Sequence, residues 1–227
     1  MSPTLADYAR MFDHSLLQPT LTDADLDAGC ALAREYGVAS VCIKPYAVPR
    51  CAQLLAGSPV RVSTTIGFPH GGHLPEVKVF EAHRAMDGGA TELDMVVNVG
   101  KVLSGEWNYV AHDIAGVVTA AHARGAKVKV IFENAFLQDA HKIELCKICG
   151  EVRADWVKTS TGYAETGATI ADLTLMRQHS PAHVQVKAAG GVRTFDKLVE
   201  VRALGVSRVG ATATKAILDE ARAKLGT

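Results

Sequence analysis

The chain has 227 residues, with 24 Lys plus Arg against 24 Asp plus Glu, so its formal net charge is zero. That balance excludes the one-signed global field that would draw a protein to nucleic acid or an acidic membrane, and it makes a small-molecule ligand the default. The five cysteines (Cys30, Cys42, Cys51, Cys146 and Cys149) are an odd number without framework-like spacing, which argues against a disulfide-stapled secreted scaffold.

Taken in order, short β-rich runs alternate with longer helical stretches, the pattern of parallel strands joined by crossover helices. Strands are expected at "FDHSL" from Phe12, "ASVCIK" from Ala39, "RVSTTIGF" from Arg61 and "TELDMVVN" from Thr91. Four more follow at "KVKVIFE" from Lys127, "DWVKTS" from Asp155, "VQVKAA" from Val184 and "SRVGA" from Ser207. Between them, "TDADLDAGCALAREYG" reads as a helix capped by Thr22 and Gly37, and "PEVKVFEAHRAMDGG" places Pro75 in a first turn. "TFDKLVEVRALG" opens at Thr194 and closes at Gly205 in the same way. Eight such units predict an α/β fold, a (β/α)8 TIM barrel formed as a single domain over residues 1–227. No G-x-G-x-x-G follows the first strand, which weakens a doubly wound dinucleotide-binding alternative. No apolar stretch approaches the ~20 residues of a membrane span, and "MSPTLADYAR" lacks the pattern of a signal peptide, so a cytoplasmic protein is expected.

Reacting groups in such a barrel lie at the C-terminal ends of the strands. Strand four is expected to end with Asp94 and Asn98, strand five with Glu133 and Asn134, strand six with Lys158, and strand seven with Lys187 before Gly190 and Gly191. Side-chain alternation puts Lys158 on one face with Trp156 and Ser160, and Lys187 with Gln185, so both lysines point into the lumen. On strands ~4.8 Å apart their ammonium groups approach within ~6 Å, and at an effective dielectric of about 20 the repulsion is near 2.8 kcal/mol, or about two pKa units. A lysine made neutral in this way is a nucleophile toward carbonyls. The same parity equally admits a plainer arrangement, in which each lysine is ion-paired across the lumen with Asp94, Glu92 or Glu133. Lys129 is expected to be such a paired residue. Glycines after strands seven and eight, "GG" at Gly190 and "GATAT" from Gly210, occupy the two loops where barrels build phosphate sites from backbone N–H groups. An interior amine beside an anion cradle implies a phosphorylated carbonyl compound.

"DHSLLQP", "SVCIKP", "TTIGFPHG", "GATELDMVVNVG", "VKVIFE", "DWVKTSTG", "VKAAGGVRT" and "RVGATAT", in this order and over essentially the whole chain, resemble the 2-deoxyribose-5-phosphate aldolases of the class I, Schiff-base type. The resemblance implies that Lys158 forms an imine, that Lys187 perturbs its pKa, and that Asp94 relays protons through a bound water. It further implies phosphate binding by Gly162, Gly190, Gly191, Val192, Arg193, Gly210 and Thr212, no metal or other cofactor, aldehydes and a sugar phosphate as small-molecule partners, and a homo-oligomer, in particular a dimer. Nucleic acid and membrane are not expected partners. Three features depart from the family's pattern. No tyrosine occurs in the closing "AKLGT", Thr212 and Ala213 stand where two serines are usual, and Tyr163 follows Gly162 where some members have lysine.

Competing readings are weaker. His70 and His73 share the loop "FPHGGH" without an evident carboxylate partner for a metal, and His14, His83, His112 and His122 are expected to scatter among helices and surface. Cys146 and Cys149 match C-x-x-C inside a helical pattern and read as buried thiols. Cys42 either faces the site or is a buried structural thiol. A non-catalytic sensor of sugar phosphates would use the lysines as anchors, and a transaldolase-like enzyme would use a ketose donor.

Overall fold

The computed structural model describes residues 3–226. Eight parallel strands close on themselves in sequence order: β1 Phe12–Leu16, β2 Ser40–Ile43, β3 Arg61–Ile66, β4 Glu92–Val96, β5 Lys127–Ile131, β6 Trp156–Lys158, β7 Gln185–Ala189 and β8 Val206–Ala211. The helices α1 Leu5–Ala9, α2 Asp23–Tyr36, α3 Val48–Leu54, α4 Pro75–Asp87 and α5 Val99–Leu103 belong to the first half. The second half carries α6 Trp107–His122, α7 Asp139–Glu151, α8 Ile170–His179, α9 Phe195–Ala203 and α10 Thr214–Leu225. The (β/α)8 barrel expected from the alternating pattern is the architecture observed. Among the described residues no helix is long and apolar enough to cross a membrane.

Local chemistry explains the boundaries. Thr22 caps α2 with its hydroxyl on the Asp25 N–H, Asp25 answers the Thr22 N–H at 2.8 Å, and Gly37 ends the helix in the left-handed conformation at φ = 62°. Pro75 opens α4, and Thr194 caps α9. Outward-facing strand residues such as Val41, Leu93, Val128, Val157, Val186 and Val209 are fully buried against helices, and this annulus is the hydrophobic core. Outside the lumen one buried ion pair joins α4 to α6. Lys78 lies 2.5 Å from Asp113 and also donates to the Val96 carbonyl at 2.9 Å.

The lumen differs from the branched aliphatic filling common in such barrels. Asp13, Ser40, Ser63, Glu92, Asp94, Lys129, Lys158 and Lys187 are all buried. Charged groups survive there only when paired and hydrogen-bonded.

Candidate active site

Lys158 and Lys187 are register partners on neighbouring strands, so alternation aims both at the lumen. Each donates to the same oxygen of Asp94, Lys158 at 2.8 Å and Lys187 at 2.7 Å. The two nitrogens therefore lie at most about 5.5 Å apart. Asp94 sits in the middle of β4, not at its end, and its other oxygen accepts from Lys129 at 2.8 Å. Lys129 also pairs with Glu92 at 2.7 Å, as expected of a structural lysine.

Asp13, from β1, was not singled out by the sequence reading, yet it lies 2.6 Å from Lys187 and also contacts Arg208 and the Ser40 hydroxyl. Its signal was available, because a carboxylate inside a buried barrel strand needs a cation partner. Arg208 in turn reaches Glu92 at 3.0 Å. The buried cluster thus sets three carboxylates (Asp13, Glu92, Asp94) against four cationic side chains (Lys129, Lys158, Lys187, Arg208), with Arg61 touching Glu92 from the solvent side. Release of one proton from a lysine balances these buried charges.

The partners shift the two lysines in opposite directions. Burial is the largest influence on Lys158 and holds its amine below the ordinary lysine value; Asp94 pulls the other way, and the Lys187 charge adds to the burial effect. Burial also disfavours charge on Lys187, but Asp13 and Asp94 outweigh it and hold that amine above the ordinary value. For Asp94, burial opposes ionisation, and the charges of Lys129, Lys158 and Lys187 overcome it and keep the carboxyl well below the usual range. Charge repulsion between the lysines is therefore a lesser influence on Lys158 than desolvation, and the carboxylates Asp13 and Asp94 set Lys187 apart from it. Neither lysine pairs with Glu133, whose carboxylate instead accepts from Thr161.

A cavity of about 500 Å³ opens over this cluster and is lined by Asp13, Cys42, Lys158 and Lys187 together with the loops that follow β1, β6, β7 and β8. Gly162, Gly190, Gly191, Val192, Arg193, Gly210 and Thr212, all expected at a phosphate site, line it. Asp94 does not; it lies behind the lysines and touches the cavity through them. Gly190 and Gly191 have φ of 75° and 83°, and a Cβ on either would press against the backbone of Gly167 or Ala168 at 3.0 and 3.1 Å. Among the described residues the backbone N–H groups of Gly162, Gly191, Arg193 and Thr212 find no acceptor within the protein. The N-terminus of α10 follows, and no side chain caps it. Such a cluster of free donors at a helix start suits an anion.

Other sequence candidates divide between the cavity wall and places outside it. Asn98 lies beyond β4 and caps α5 through the Lys101 N–H at 3.1 Å. Glu133 and Asn134 lie just past the end of β5. His14 is neither on a helix nor on the surface: it is buried on β1 and hydrogen-bonded to Thr214 at 2.9 Å, with burial pushing its pKa down to about 4. Cys42 lines the cavity, and burial pushes its thiol up, away from the reactive thiolate. Cys146 and Cys149 are buried on α7. Tyr163 lines the cavity with its phenol donating to the Leu17 carbonyl at 3.0 Å and its ring edge-on to Phe68 at 5.5 Å.

Residues 8–218 match the family model described as DeoC/LacD family aldolase. The chain is 61% identical over 220 residues to a deoxyribose-phosphate aldolase of Rhodopirellula baltica, covering 97% of this chain and 91% of that protein. This chain belongs to the DeoC/LacD family of aldolases. Its relatives include a deoxyribose-phosphate aldolase of Thermococcus gammatolerans, 43% identical over 95% of this chain and 97% of that one. The solved deoxyribose phosphate aldolase of Aeropyrum pernix, described as a unique tetramer, superposes with a TM-score of 0.90 at 30% identity, covering 97% of this chain and 93% of that one. The aldolase is accordingly an enzyme, a carbon–carbon lyase acting on small molecules.

Proposed function

We propose that this aldolase reversibly cleaves 2-deoxy-D-ribose 5-phosphate to D-glyceraldehyde 3-phosphate and acetaldehyde through an imine on Lys158. The observation that carries the reading is the pair of buried lysines on one Asp94 oxygen at the floor of a cavity whose other wall offers free backbone donors. Neutral Lys158 attacks C1 of the open-chain sugar, and loss of water leaves a protonated imine. That cation is the electron sink: removal of the C3 hydroxyl proton breaks the C2–C3 bond, its electrons form an enamine, and glyceraldehyde 3-phosphate departs. Protonation of the enamine at C2 and attack of water on the resulting iminium free acetaldehyde and Lys158.

Lys187 lines the cavity and keeps its proton, so it lowers the pKa of Lys158 by charge and is the side-chain proton carrier next to the substrate. Asp94, held behind it as a weakly basic carboxylate, relays protons through Lys187 and a bound water. Gly162, Gly191, Arg193 and Thr212 hold the phosphate by backbone donors, and Gly190, Val192 and Gly210 line the same cradle. The reading needs no metal or other cofactor, because the iminium withdraws electrons as a Lewis acid would. It is completed by a cytoplasmic homo-oligomer, a dimer, working in deoxyribonucleotide breakdown.

Lys158→Ala tests the assignment. Cleavage of 2-deoxyribose 5-phosphate should fall below detection, and substantial residual turnover would remove Lys158 from its role. Acetaldehyde should serve as donor where dihydroxyacetone does not; the reverse preference would favour a transaldolase-like enzyme.

A further inference from the structure

Glu133 is a buried carboxylate that the proposed reaction does not use. It stands just past the end of β5 with φ = 57° and ψ = 66°, one of two non-glycine residues with positive φ among those described. A left-handed conformation is unfavourable for a residue with a Cβ and persists where the surroundings over-determine it. Here the backbone on either side is stitched to β6 and its extension. The Phe132 N–H donates to the Lys158 carbonyl at 3.0 Å, and the Asn134 N–H donates to the Thr159 carbonyl at 2.9 Å. The conformation turns the carboxylate onto the loop after β6, where its two oxygens accept from the Thr161 N–H at 3.3 and 3.2 Å and one also accepts from the Thr161 hydroxyl. The Thr161 hydroxyl oxygen then accepts from the Tyr163 N–H at 3.1 Å.

Gly162, at φ = 93°, is thereby held between two residues tied to one hydroxyl, with its own N–H left free beside the cavity. Beyond it, Tyr163 reaches the β1 loop through Leu17. We propose that Glu133 is a positioning residue for the phosphate end of the cavity: through Thr161 it fixes the turn that presents the Gly162 N–H to the anion. The proposal rests on the phosphosugar reading above. A donor fixed before binding loses little freedom on contact, whereas a loosened one must be ordered by the ligand itself, and small misplacements are read as large rate losses.

The test compares 2-deoxyribose 5-phosphate with unphosphorylated 2-deoxyribose as substrates, and measures competitive inhibition by inorganic phosphate, in wild type, Glu133→Gly and Glu133→Gln. Glycine suits the left-handed backbone, so Glu133→Gly removes the carboxylate without adding backbone strain. KM for the phosphorylated sugar and Ki for phosphate should rise about tenfold or more, the loss with the unphosphorylated sugar should be several-fold smaller, and Glu133→Gln should recover part of the difference by keeping an acceptor oxygen. Equal losses on both sugars, or an unchanged Ki for phosphate, would overturn the proposal. Because phosphate inhibition is compared across wild type and variants while imine formation is read separately by trapping with acetaldehyde, a wild type that forms no imine would refute the reaction and not the role of Glu133.

Discussion

Replacing Lys187 with leucine removes the ammonium that shares the Asp94 oxygen with Lys158. At a separation of at most about 5.5 Å and an effective dielectric of about 20, that charge disfavours protonation of Lys158 by about 3 kcal/mol, or about two pKa units. Loss of Lys187 also leaves Asp13 and Asp94 with one cation fewer to share, and their attraction then falls more fully on Lys158. Both changes raise the pKa of Lys158, so the sign is unambiguous. The neutral fraction near pH 7 should fall about a hundredfold, and the alkaline-rising limb of imine formation should move up by about two pH units. The assay is the initial rate of cyanoborohydride trapping with acetaldehyde, measured from about pH 5 to pH 10 in wild type and variant, with far-UV circular dichroism to confirm folding. A variant whose profile keeps the wild-type midpoint would show that burial alone, the largest influence on Lys158, tunes the amine, and the charge argument would fail.

Asp94→Asn should lower cleavage of 2-deoxyribose 5-phosphate by about a hundredfold or more through loss of the proton relay, while trapping of the acetaldehyde imine near pH 7 is held, because Asp94 raises the pKa of Lys158; equal losses in both assays would contradict this. His14 is held neutral by burial at a pKa of about 4, so the unfolded chain takes up its proton first as pH falls below about 6.5. Stability is full above that pH and should drop by about 3 kcal/mol between pH 6.5 and pH 4 from this residue, and urea denaturation of His14→Gln should show a shallower acid slope. Lys78→Met strands Asp113 in the α4–α6 interface and should lower stability by about 3–5 kcal/mol in the same assay, with the double variant Lys78→Met/Asp113→Leu recovering part of it.

Strand positions and the inward parity of both lysines could be read from the chain because alternation and glycine-terminated helices are local properties. β1 begins at Phe12 and β3 at Arg61 as expected, and the Thr22 and Gly37 caps are in place. What joins residues across the lumen was less accessible. Asp13 meets Lys187 only because closure brings β1 beside β8 and across from β7, a consequence of barrel geometry that no short window contains. Glu133 was expected as a possible lysine partner, but its left-handed backbone turns the carboxylate onto Thr161, and nothing in "VKVIFE" marks that dihedral. Asp94 was placed at a strand end, whereas its mid-strand depth puts it beneath both lysines and out of the cavity wall. Like-charge repulsion was the expected influence on Lys158, but burial is the larger one, and Asp13 and Asp94 hold Lys187 above the ordinary lysine value.

The central claim is that Lys158 is the amine that meets the carbonyl. Intact and peptide mass spectra after borohydride reduction in the presence of acetaldehyde test it directly. The account predicts a gain of about 28 Da, one reduced two-carbon adduct, on the peptide carrying Lys158. An unchanged mass, or the same adduct on Lys187 with Lys158 unmodified, would contradict it.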